Sequence, residues 1–230
     1  MSRNQNEPMA DVRDMYMAHA LMRRELGLLP RVVRGVTPGD AARAEIVGAH
    51  TELVTMILHL HHQGEDALLW PLLNARGGAE ATAIVPIMEK QHHAIEEANE
   101  TVAALLPGWR ATGRGGDDLA DACERLYTAV AEHMTLEERE ILPLAEKHVT
   151  HAEWKQMGEH GMKDAPKKSV PLALGMMMYE ADPEVIKGIL AEAPLLIRLL
   201  MPIIAPRTYA KHAKRIHGTA TPPRSTAIPA

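Results

Sequence analysis

Two stretches decide how this chain folds: HHQGEDALLWPLL at residues 61–73 and HMTLEEREILPLA at residues 133–145. In each, a His is followed four residues later by a Glu, a second acid comes next, and a Pro stands ten residues after the His. Residues four apart stack on one face of an α-helix, so His61 with Glu65 and His133 with Glu137 each aim an imidazole and a carboxylate in one direction. Val54, Ile57, Leu68 and Leu72 continue the first stripe, and Leu126, Val130, Ile141 and Leu144 the second. This is the periodicity of amphipathic helices, here with two ionisable groups on each apolar face. The prolines are expected to end or kink each helix near its C-terminal end.

Working outward, GVTPGD at 35–40, NARGGAE at 74–80 and LPGWRATGRGGDD at 106–118 divide the first 150 residues into four long stretches. Thr37-Pro38-Gly39-Asp40 reads as a helix start, with Thr37 as the cap and Pro38 at the first helical position. Four helices with short connections predict an all-α, antiparallel four-helix bundle over residues 8–148. The other two helices each carry a His on the apolar side: His19 in line with Met15, Met22 and Leu26, and His92 with Met88, Ile95 and Val102. His93 has Glu96 and Glu100 as its +3 and +7 neighbours and is placed nearer solvent. A lone His on such a stripe is ordinarily a hydrogen-bonded core residue. Four inward His with two inward carboxylates would need an extensive satisfied network or a metal, and facing helices of this kind build two-metal sites from bridging carboxylates and terminal imidazoles.

After residue 150 the prolines at 166, 171, 183, 194, 202 and 206 predict short helices, with starts at Thr150 and Asp182. Residues 149–217 are expected to form a helical extension that packs on the bundle, anchored by Trp154 and the run at 195–204. The apolar PLLIRLLMPIIAP at 194–206 is too short to span a bilayer. A dimer contact or a membrane surface is its alternative use, so an oligomer through the extension stays open. Residues 218–230, rich in Pro, Thr and Ala, read as a disordered tail.

Composition narrows the partners. Lys+Arg 25 against Asp+Glu 30 gives a net charge of -5, and aromatics make up 3% with no Phe, so there is no basic phosphate track or base-stacking platform for nucleic acid. The single Cys, Cys123, excludes an intrachain disulfide and a multi-cysteine metal site, fits a reducing compartment, and reads as a small buried hydrophobe. The N-terminal stretch has no apolar core of a signal peptide and no run long enough for stable membrane insertion, which points to a cytoplasmic protein. The 14 Met read as adaptable core filler rather than metal ligands. His50 shares the His61 stripe but lies eleven residues earlier, about 16 Å away at a helical rise of ~1.5 Å. His59, His62, His93, His148, His151, His160, His212 and His217 read as surface residues, caps or hydrogen-bond partners of ligands, and Asp66 and Glu138 as solvated acids.

The ordered set His, His-x3-Glu, His, His-x3-Glu resembles the hemerythrin-like, HHE cation-binding family over roughly residues 10–148. The resemblance implies a non-haem di-iron centre on His19, His61, Glu65, His92, His133 and Glu137, with two Fe ions joined by an oxo or hydroxo bridge. Imidazole and carboxylate without thiolate suit iron or manganese. The oxygen-carrying members are known for a fifth histidine four residues after the third-helix ligand, where this chain has Glu96. That position is therefore expected to be filled by an oxygen donor, with Glu96 or Tyr16 the candidate, or left to solvent, with Glu96 in a solvated run and Tyr16 in the core; either way the centre is expected to be poorer in imidazole than a carrier's. From that follows the expectation of catalase-like or peroxidase-like turnover of hydrogen peroxide, nitric oxide or both. The alternative is a non-enzymatic protein that binds or senses oxygen, nitric oxide or iron.

Overall fold

The computed structural model describes residues 7–163 and 166–228, and every regular element among them is helical. The helices are α1 Arg13–Arg34, α2 Ala41–Gly64, α3 Trp70–Arg76, α4 Gly78–Thr112, α5 Gly116–Leu136, α6 Leu142–His148, α7 His151–Lys163, α8 Val170–Met178, α9 Pro183–Ala191 and α10 Leu195–His217. α1 packs on α2 and α5, and α4 packs on the same two, so these four rods close a ring. No helix among the described residues is long and apolar enough to cross a membrane.

The helix boundaries follow local chemistry, and some differ from expectation. α2 begins at Ala41 rather than at Pro38, because the cap is Asp40, whose side chain accepts from the Arg43 N–H at 2.9 Å. α4 runs through Pro107 and Gly108 and ends at Gly113, whose φ of 63° is the left-handed conformation that favours glycine. The prolines of the two quoted stretches neither end nor simply kink their rods. Each rod passes through one π turn, Glu65–Leu69 or Glu137–Ile141, and continues as α3 or α6 with Pro71 or Pro143 in its first turn. In an unbroken α-helix Pro71 would leave the Ala67 carbonyl without a donor and clash with it. The wider turn, in which the Trp70 N–H reaches the Glu65 carbonyl, absorbs the extra residue.

Two apolar clusters fill the ring. One gathers Met22, Leu26, Val54, Leu58, Ile95, Leu126, Val130 and Met134. The other holds Met15, Leu69, Trp70, Val85, Met88, Ile141, Leu142 and Trp154. Each buried side chain of this size stabilises the fold by roughly 1.5–3 kcal/mol. Along every rod a histidine falls between the clusters: His19 between Met15 and Met22, His61 between Leu58 and Leu69, His92 between Met88 and Ile95, His133 between Val130 and Ile141. The polar layer is thus enclosed by apolar surface at both ends.

The C-terminal part lies against this ring. α8 and α10 pack closely, and a Cβ at Gly175 would collide with the Ala205 backbone oxygen, so that crossing needs glycine. Arg24, fully buried on α1, ties them down: its guanidinium donates to the Tyr209 hydroxyl at 2.9 Å, the Met176 carbonyl at 2.7 Å and Glu180. α10 is a long helix through Pro202 and Pro206, not the short one its prolines suggested. The expected anchors divide. Trp154 is 5% exposed and donates to Asp14, whereas Leu195, Leu196 and Leu199 are 61–70% exposed. Of the tail expected to be disordered, residues 218–228 are described and lie on the body, with Tyr179 donating to the Pro222 carbonyl and Ser225 to Glu180. Residues 229–230, and 164–165 of the extension, fall outside the described residues.

Candidate metal centre

The six residues singled out in sequence converge in the polar layer, and a seventh joins them. Two overlapping groups form: His62, Glu65, His92 and His133, and His19, His61, Glu65 and Glu137, with the ligand-capable atoms of each group within 4.8 Å of one another. Glu65 belongs to both groups. Its Oε1 lies 3.1 Å from His61 Nε2 and its Oε2 3.3 Å from His92 Nε2. Glu137 Oε2 likewise lies 3.2 Å from His19 Nε2 and 3.6 Å from His133 Nε2. Both carboxylates therefore sit where each can touch two metals.

These close approaches are not hydrogen bonds. Nε2 of His19, His61 and His62 and all four carboxylate oxygens of Glu65 and Glu137 are buried without a hydrogen-bond partner. Leaving seven such atoms unmet in an apolar interior would cost several kcal/mol each. Convergent lone pairs on imidazole and carboxylate, with no thiolate nearby, are the donor set of a borderline or hard transition metal. The residues fit a pair of such ions.

The outer imidazole nitrogens are held from behind. His19 Nδ1 meets Glu138 Oε1 at 2.8 Å, and Arg23 donates to that same oxygen at 2.6 Å. His92 Nδ1 meets Asp66 Oδ1 at 2.7 Å, which also accepts from Trp70 Nε1 at 2.8 Å. His133 Nδ1 lies 3.3 Å from Gln91 Oε1. Such partners fix ring orientation and turn Nε2 inward, where those of His92 and His133 meet each other at 3.2 Å. Asp66, half exposed as expected, and Glu138, largely covered and so not the solvated acid expected, do more than meet water: the acid after each inward Glu serves a histidine on another helix.

Charge in the metal-free cluster is divided accordingly. Burial alone would lower His19, but Glu137 and Glu138 raise it to about 9; His92 is raised to about 9 against its burial by Asp66 and Glu65. Burial pushes His61 and His133 down to about 3, and His62 well below its ordinary value. Burial and the neighbouring Glu137 push Glu65 upward, whereas His19 and His133 hold Glu137 down against its burial.

His62 is the residue the sequence reading passed over. It stacks on His92 with ring centroids 4.1 Å apart and meets His133 edge-on at 4.9 Å. Its signal was present: His62 stands three residues before Glu65, and i,i+3 pairs share a helix face as i,i+4 pairs do. The two candidates for an extra oxygen ligand are not brought to the cluster. Glu96 pairs with His59 at the surface at 3.1 Å, and Tyr16 is 45% exposed. With His62 the cluster brings five imidazoles together, one more than the four the sequence pattern singled out. His93 is exposed, and Cys123 lies in the apolar core away from the cluster.

The profile of the hemerythrin HHE cation binding domain matches residues 10–145. Neither a curated protein nor a solved structure matches the chain.

Proposed function

Since the chain belongs to the hemerythrin HHE cation-binding family, we propose that α1, α2, α4 and α5 with their π turns form its antiparallel four-helix bundle, and that His19, His61, His62, Glu65, His92, His133 and Glu137 hold two iron ions. The observation that carries this reading is the set of seven buried, unpartnered nitrogen and oxygen atoms facing one another. His62, His92 and His133 would hold one iron and His19 and His61 the other, with Glu65 common to both groups and Glu137 brought between them by its 3.2 Å and 3.6 Å approaches to His19 and His133. Five imidazoles and two carboxylates would not fill the roughly twelve positions that two six-coordinate ions offer, so small-molecule ligands would complete the site. The His19 and His61 side supplies two imidazoles against three on the other and would have the more room for such a ligand. His61 is also the most exposed ligand, at 14% of its side chain, so a small molecule reaches that side first.

When bound, the iron pair supplies redox equivalents and the place at which a small oxidant is held. The chain's own residues do the rest. Asp66, Gln91 and Glu138 keep three imidazoles in register, the two carboxylates fix the separation, and the apolar clusters on either side exclude bulk water. A set of five imidazoles would suit reversible binding of oxygen or nitric oxide rather than turnover of peroxide. The test is a visible spectrum of the iron-loaded protein with oxygen, nitric oxide and hydrogen peroxide in turn. Reversible adducts with little peroxide loss support binding; steady peroxide consumption at catalytic protein concentration supports detoxification instead.

A further inference from the structure

A second buried polar cluster lies where α1, α2 and α10 meet, built from Glu25, His50, His212 and His217. His50 precedes His61 by eleven residues, so this cluster stands about 16 Å along α2 from the first at ~1.5 Å per residue. Glu25 and His50 are 0% and 1% exposed, and the His217 side chain 5%. Glu25 Oε1 is fully engaged, accepting from the Tyr209 hydroxyl at 2.6 Å and from Arg24 Nε at 2.8 Å. Its other oxygen, Oε2, faces His217 Nε2 at 3.2 Å and His50 Nε2 at 3.4 Å. On the far side of the ring, His50 Nδ1 meets His212 Nε2 at 3.0 Å.

Two features do not fit a closed hydrogen-bond network. His50 Nε2 is buried and has no hydrogen-bond partner, although it points at a carboxylate oxygen. Charge is also unbalanced: the single Arg24 guanidinium is shared by two carboxylates, Glu25 and Glu180, and the Glu25 oxygen it does not touch faces only imidazoles. An unpartnered ring nitrogen aimed at a carboxylate oxygen in the interior is a place that a cation would fill.

We propose that Glu25 Oε2, His50 Nε2 and His217 Nε2 form a second, mononuclear site for a divalent transition-metal ion such as zinc, fastening the end of α10 to α1 and α2. The three atoms lie within 4.8 Å of one another, the span a single ion can bridge. Two imidazoles and one carboxylate suit zinc, iron(II) or manganese(II), with solvent in the remaining position. His212 is a positioning residue, holding the His50 ring through Nδ1.

The test uses the full chain with its first cluster already filled with iron, titrated with Zn2+, dialysed and analysed for both metals. The proposal expects one further equivalent of zinc per chain, unchanged iron, and a rise in Tm with Zn2+. His217→Gln should lose the zinc and the Tm rise while keeping the iron spectrum and helicity, and His212→Ala should weaken zinc binding by about 10–100-fold. Glu25→Gln is less useful, because it disturbs the buried Arg24 pairing. No zinc taken up by the parent protein, or the same zinc kept by both His217→Gln and His50→Gln, would overturn the assignment.

Discussion

Anaerobic loading of the metal-free protein with Fe(II) across a pH series should show that metal entry expels protons from two particular histidines. His19 and His92 are raised to about 9 because Glu137 with Glu138, and Asp66 with Glu65, surround them with carboxylate oxygens. Each Nε2 must lose its proton before it can bind a metal. At pH 7, below that value, each displaced proton opposes binding, so the pair makes apparent affinity markedly weaker at pH 7 than above pH 9. His61 and His133, pushed down to about 3, are already neutral and release nothing. The sign is fixed: affinity climbs by about tenfold per histidine per pH unit from 7 toward 9, then flattens. The same two shifts stabilise the metal-free fold fully below pH ~6.5, and that stability is lost as pH rises through about 9. Calorimetry in two buffers of different ionisation enthalpy should report close to three protons released at pH 7, from His19, His92 and the Glu65 carboxyl that burial and Glu137 raise to about 8. Affinity that is flat from pH 6.5 to about 8.5 with buffer-independent heats would refute this division of charge.

Replacing His62 by Ala should remove at least half of the bound iron, whereas His93→Ala and His59→Ala should leave metal content and spectrum unchanged; metal analysis of the three purified variants decides. Asp66→Asn keeps the side-chain shape but weakens the hold on His92 Nδ1, and a competition titration should show metal affinity lower by about 10–100-fold with helicity intact. An affinity equal to the parent's would mean that Asp66 does not orient the ring. Tyr209→Phe deprives Glu25 of a donor and Arg24 of an acceptor in the interior, which should cost about 1–3 kcal/mol in denaturant unfolding. A change within a few tenths of a kcal/mol would show that water replaces the hydroxyl.

The chemistry of the centre was readable where it obeyed helical spacing. His61 with Glu65 and His133 with Glu137 stand out because an imidazole and a carboxylate recur on an apolar stripe, and His19 and His92 because they interrupt stripes of Met and Leu. His62 was lost because a search at i,i+4 sees His61 first, and the second quoted stretch has Met134 at the matching place. The histidine contacts of Asp66 and Glu138 were missed for a geometric reason. One residue past an inward Glu lies roughly 100° round the helix, which looks solvated on a lone helix but faces a neighbouring rod in a packed one. The π turns were hidden because a Pro in a helical pattern signals an end or a kink, and only the neighbouring helices decide that the chain continues. The Glu25 cluster was invisible for a different reason: His212 and His217 come from the far end of the chain, and no spacing rule links them to His50.

Iron counting on protein made in iron-supplemented cells, with its visible spectrum recorded before and after nitric oxide, tests the central claim most directly. The account predicts two irons per chain, absorption that shifts with nitric oxide, and loss of both when His61 or His133 is replaced by Ala. Less than one iron per chain, with full helicity and no spectral response, would contradict it.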